Sequence, residues 1–310
     1  MQVSPRRLLA LCAIVFVLAP VGAARAGSLD LPTRDWGLSL GNSHDFTGLR
    51  FNLSDRDIGT ITGVSATFWI PRDNPRGRVR GLSLGVVGTG TDGIDGLSIN
   101  LVGVGAATRA RGILIGGLGA GAGDNSTGVI LGGLGAGAGT NAKGIIVGGL
   151  GAGAGDDATG LMLGGLGAGA GNRAMGVMVG GLAAGAGDAA TGVLLGGLAA
   201  GAGDDLTGLA IGGLAVGASR RFTGVGVGGV GLGSADWRGL AVTGGYLKCD
   251  RFAGLGVAGY ARARERCDGL AIALFNWTRE LHGVQIGLLN YAGNNRRGTK
   301  WLPGLNMHLN

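Results

Sequence analysis

Between Gly112 and Thr223 a single 16-residue unit occurs seven times in succession, beginning at Gly112, Gly128, Gly144, Gly160, Gly176, Gly192 and Gly208. The copy from Gly128 reads Gly-Val-Ile-Leu-Gly-Gly-Leu-Gly-Ala-Gly-Ala-Gly-Thr-Asn-Ala-Lys. A period this regular points to a repeat architecture, in which each unit packs mainly on its neighbours. Helices do not suit the unit. Four to six glycines per copy would each cost a helix interior about 0.8–1 kcal/mol relative to alanine. The apolar run of each copy is also too short for a membrane-spanning helix, which needs about 20 residues. Collagen is excluded, because the glycines do not recur every third residue and no proline lies between Pro75 and Pro303.

Strands fit. Counting the leading glycine as position one, positions two and four are almost always Val, Ile or Leu, as in Val129 and Leu131 or Ile145 and Val147. In the flanking units position three is Ser83, Ser98, Ala241, Gly256, Ala271 or Gln285. This period-two pattern predicts a half-buried strand, with positions two and four facing in and position three facing out. A Gly-Gly corner, a Leu-Gly-Ala-Gly-Ala-Gly strand and an Asp/Asn-rich turn complete the unit. Each unit is therefore expected to be two short strands and two turns. The predicted fold is all-β, a glycine-rich β-solenoid of about 15–16 residues per coil with end caps. The alternative is an antiparallel transmembrane β-barrel. A barrel places successive turns at opposite rims and should show a two-strand period. Every unit here has the same turn chemistry, which favours stacked coils.

Residues 1–26 have the layout of a secretory signal: Arg6 and Arg7, an apolar stretch from Leu8 to Leu18, and small residues in Ala24-Arg25-Ala26. Cleavage there would start the mature chain near Gly27. It would remove three arginines and no acid, lowering the formal net charge from +7 to +4. The basic balance is thus partly a targeting feature and does not imply nucleic-acid binding. Residues 27–80 are expected to be a leader and N-terminal cap, with Trp36, Pro71 and Pro75. Residues 81–297 form the β-repeat domain, with the regular copies at 112–223, and 298–310 the C-terminal cap. After Thr223 the unit shortens to 15 or 14 residues, and aromatics, absent between Trp69 and Phe222, recur there.

The late units Gly269-Leu-Ala-Ile-Ala-Leu-Phe-Asn-Trp277 and Gly283-Val-Gln-Ile-Gly-Leu-Leu-Asn-Tyr291 resemble the bacterial surface-repeat proteins built on G-[LV]-x-[IL]-G-L-[LFV]-N-[YWI] units. The closing Trp301-Leu-Pro-Gly-Leu-Asn306 looks like the ends of that family. The match is tight over 269–310 and looser over 48–268, where Gly-Ala replaces the Asn-aromatic pair. The resemblance implies an exported protein of the bacterial cell surface, periplasm or outer membrane, and carries no activity with it.

Chemistry is sparse. The Gly117–Gly121 stretch lacks the following helix and the Gly-Lys-Ser/Thr of phosphate loops. The calcium-binding nonapeptide pattern begins at Gly116, but Gly121 stands where its aspartate belongs. The recurring turn acids, among them Asp124, Asp156 and Asp188, are read as turn formers rather than a cation column. His44, His282 and His308 have no companion ligands at metal-site spacing, and no nucleophile–base constellation is evident. No cofactor or metal is expected, and the chain is read as a non-enzyme. A flat ice- or glycan-binding face would need an outward Thr or aromatic ladder, and the threonines at position sixteen are an incomplete one. Cys249 and Cys267 lie in neighbouring units of an exported chain, which favours a disulfide worth about 3 kcal/mol. Position three of the central copies, Leu114, Ile130, Ile146, Met162, Met178 and Leu194, is expected to stack into an outward apolar stripe. That stripe would meet a surface protein, a polymer or another copy of the chain. Apolar residues on both faces are equally the feature best suited to the outer-membrane barrel or pore. The expected function is an exported structural or interaction element of the cell surface.

Overall fold

The computed structural model describes residues 28–32, 36–72 and 74–309; the expected signal segment 1–26 lies outside them. The chain is a β-solenoid. In the copy from Gly128, the strand Asn125–Gly132 runs into a turn at Gly133 and Leu134. The strand Gly135–Ala138 follows, and a second turn leads to the next coil. Every long strand pairs in parallel with its equivalent one unit away, so that Gly112 faces Gly128, Gly128 faces Gly144, and Gly144 faces Gly160. The short Gly-Ala strands stack likewise, Ala136 against Ala120 and Ala152. A barrel requires antiparallel neighbours, so this parallel ladder excludes it. The rungs begin earlier than the repeat does in sequence: Gly37 already pairs with Gly48, and Gly48 with Gly63. Much of the segment expected as leader and cap is therefore coil.

The leading glycine makes a bend in addition to the two expected turns. Sixteen of these glycines, from Gly48 to Gly283, have φ between +112° and +151°. That region disfavours residues with a Cβ. A Cβ on any of them would also fall on the carbonyl oxygen of the glycine one coil before, as at Gly128 against Gly112. Here the alternation breaks, and positions sixteen, one and two all lie toward the outside. Each coil thus has three bends: at the leading glycine, at the Gly-Gly-Leu turn, and at the Asp/Asn turn.

The bends reverse the expected sidedness. Position three faces in. Leu114, Ile130, Ile146, Met162, Met178 and Leu194 are 1–3% exposed and belong to the main core, so the outward stripe assigned to them is incorrect. Positions two and four face out. The reason is room. The lumen is lined at positions five, nine, eleven and fifteen by glycine and alanine in the central copies, apart from Ser126, Leu206, Val216 and Phe222. A Cβ added at Gly132 would strike the Gly135 carbonyl oxygen and come within 3.1 Å of the Ala120 nitrogen. One large side chain per coil fills what remains.

Positions fifteen and three share that volume. Where fifteen is Ala142, Ala158 or Ala174, the following position three is Ile146, Met162 or Met178. From Leu206 onward the large residue moves: Leu206, Phe222, Trp237 and Phe252 precede Ala210, Gly226, Ala241 and Gly256. Phe222 and Trp237 stack with centroids 3.9 Å apart, and a Cβ on Gly226 would lie 2.5 Å from the Trp237 ring. Close packing at near-constant volume accounts for the exchange.

The ends of the lumen are polar. Near the N-terminus Arg50 is fully buried at position three. It donates to Asp55 at 2.6 Å and to Ser65 at 3.1 Å, while Thr67 donates to the other Asp55 oxygen at 2.8 Å. Near the C-terminus Asn276, the Asn of the recurring Asn-aromatic pair, donates to the Asn290 side chain at 2.7 Å, and Asn306 donates to the Asn290 backbone oxygen at 3.4 Å. Antiparallel strands close both ends: Ser28–Pro32 on Gly37–Gly41, and Trp301–His308 on the rung from Gly283. They cover rungs that would otherwise be open strand edges.

Candidate interaction face

Turning position three inward puts positions two and four on the outer surface of one side of the coil. From Leu49 to Val284 every position two is Leu, Val or Ile. From Phe51 to Ile286 every position four is Val, Ile, Leu, Phe or Ala. The most exposed are Phe51 at 49%, Ile113 at 42%, and Ile145 and Ile286 at 41%, while most others, among them Leu131, Val147 and Leu163, are half-buried. The adjoining bend adds position seven, including Leu134 at 49% and Leu166 at 50%. No charged side chain interrupts the two columns.

The size of this face follows from strand geometry. Positions two to six span about 13 Å, and fifteen rung steps span about 70 Å, or about 900 Å². Ordinary monomers expose contiguous apolar patches of about 300–600 Å². The apolar stripe expected at position three lies instead at positions two and four. The signal that locates it is present: positions two and four stay aliphatic along the whole chain, whereas position three trades volume with position fifteen and so behaves as core.

The turn after the Gly-Ala strand lies on a different bend and is polar. Asn172 donates to Asp156 at 3.2 Å, Arg173 pairs with Asp157 at 2.7 Å, and Arg220 pairs with Asp205. The Arg173 hydrogen bond holds the Asp157 carboxyl below its ordinary value. These residues tie coil to coil on the surface, where an ion pair contributes little.

Cys249 and Cys267 are both inward and both free thiols, at positions eleven and fourteen of successive 15-residue coils, so the expected disulfide is not formed. Burial pushes both thiols up, Cys267 to about 12, with Cys249 further raised by the neighbouring Cys267. His282 and His308 meet edge to face at 6.0 Å, and His44 Nδ1 lies 2.6 Å from the Asp57 oxygen, elsewhere in the fold. Outside the late coils Trp277, Tyr291 and Trp301 form a ladder, at 5.7 and 4.7 Å, with the Arg262 guanidinium 4.9 Å from the Trp277 ring centroid. Their faces are turned to one another.

The molecule so defined is a parallel β-solenoid with one apolar side. No protein-family model, curated protein or solved structure matches the chain.

Proposed function

We propose that the chain is an exported, non-enzymatic element of the bacterial cell surface, and that its apolar side is its working part. The unbroken aliphatic columns at positions two and four carry this reading. The core is already filled from positions three and fifteen, so these columns are not needed to fill the lumen. A large exposed apolar surface costs solubility unless something covers it. The signal-like segment 1–26 and the surface-repeat resemblance of residues 269–310 support export. A pore has no support, since the lumen is packed with side chains.

The test is fractionation of cells producing the full chain and a variant carrying Leu131→Lys, Val147→Lys and Leu163→Lys. The expected result is processing near Gly27 and recovery outside the cytoplasm, with the variant released from the cell surface. An unprocessed chain in the cytoplasm, or identical partition of the two forms, would overturn the proposal.

A further inference from the structure

From the dimensions of the apolar side we infer that it is the contact surface of a homodimer, in which two solenoids lie face to face through positions two and four. This rests on the reading of that side as the working surface and names its partner as a second copy of this chain. Three observations carry it. The first is area. About 900 Å² on each copy matches the roughly 800 Å² per partner of a stable protein interface.

The second is self-complementarity. A two-fold dimer places one patch against itself. Every rung here presents the same pair of aliphatic positions at one spacing, so ridges of one copy can enter grooves of the other, as between packed sheets. The third concerns the ends and borders. The last rung at each end is paired by one short antiparallel strand, Ser28–Pro32 or Trp301–His308, so the lateral face is by far the larger surface for association. Along the whole face the border column just before the leading glycine is mixed: Thr127, Thr159, Thr191, Thr207 and Thr223 dominate the central copies, and Arg80, Arg111, Lys143 and Arg238 alternate with Asp95 and Asp268. A side seated on a membrane would instead be bordered by lysine and arginine.

The experiment is sedimentation of the exported protein in detergent-free buffer across micromolar concentrations. The Leu131→Lys/Val147→Lys/Leu163→Lys form and an Asp156→Lys/Asn172→Lys form serve as comparison. The wild type and the Asp156/Asn172 form are expected to sediment as dimers. The three-lysine form is expected to dissociate about a hundredfold or more readily, with an unchanged far-ultraviolet spectrum. A dimer that survives the three lysines would overturn the inference, because its contact would lie elsewhere. A wild-type monomer would overturn it too. If that monomer floats with phosphatidylcholine vesicles and the three-lysine form does not, the apolar side remains the working surface with lipid as its occupant. If neither form floats, lipid is ruled out as the occupant too, and the functional reading is decided by the cell fractionation.

Discussion

Replacing Gly176 by alanine should damage the solenoid far more than replacing Gly151, although both are glycines of the same repeat. Gly176 is a bend residue with φ +123°, and a Cβ there would fall on the Gly160 carbonyl oxygen and within 3.0 Å of its carbon. A residue with a Cβ in such a region costs about 1–3 kcal/mol. The steric conflict adds about 1–3 kcal/mol, because the struck atom is backbone held in a parallel ladder and cannot swing aside. Alanine recovers about 0.4–1 kcal/mol by restricting the unfolded chain. The net loss for Gly176→Ala is therefore about 1–6 kcal/mol. Gly151 has an ordinary φ and nothing within 4 Å of an added Cβ. The same position is already alanine at Ala183, Ala199 and Ala215. Gly151→Ala should be neutral, or stabilising by about 0.4–1 kcal/mol. Urea denaturation followed by far-ultraviolet circular dichroism compares the two. Hydrogen exchange should confine the Gly176 lesion to the neighbouring rungs, since coils interact with their nearest neighbours. Equal midpoint shifts for both variants would refute the assignment of the bend column as the residues that require glycine.

Three further outcomes follow from the same geometry. In a double-mutant cycle, Ala158→Phe and Met162→Gly should each destabilise by about 2–4 kcal/mol, and the pair should recover at least 1 kcal/mol of the sum; strict additivity would show that positions fifteen and three do not share one volume. Met178→Lys buries an unpaired charge and should lower the melting temperature steeply, whereas Val177→Lys, one residue away and 39% exposed, should shift it by no more than a few degrees; the reverse ranking would turn the coil inside out. Cys249 and Cys267 should resist alkylation at pH 8 until the protein is unfolded, and intact-mass analysis should find two free thiols. Their raised values mean that the unfolded chain loses these protons first, so stability is intact below the ordinary thiol range and falls as pH rises from about 9 toward 12. A Cys249→Ala/Cys267→Ala form should lose that part of the alkaline slope, and an unchanged slope would contradict the burial.

The repeat period favoured parallel stacking over a barrel and set how far apart in the chain the paired residues lie. Translation by one unit leaves every residue in the environment of its copy, and only stacked coils have that symmetry, so Gly128 opposite Gly144 was legible without coordinates. The sequence also determined that two sets of side chains alternate across each rung. It did not determine which set was inside. Alternation has two solutions, and large aliphatics such as Val129 and Leu131 look like core when hydrophobicity is the only guide. Tertiary structure decided against them through the bend at each leading glycine, a conformation that local pattern does not reveal. That bend takes three consecutive residues to the outside and brings positions three and fifteen into one lumen. Once the coil closes, backbone approaches at glycines such as Gly132 leave space for one large side chain per turn. Met162 and Met178 fill it, and the aliphatic columns are left facing outward, because a narrow coil has more apolar residues than interior.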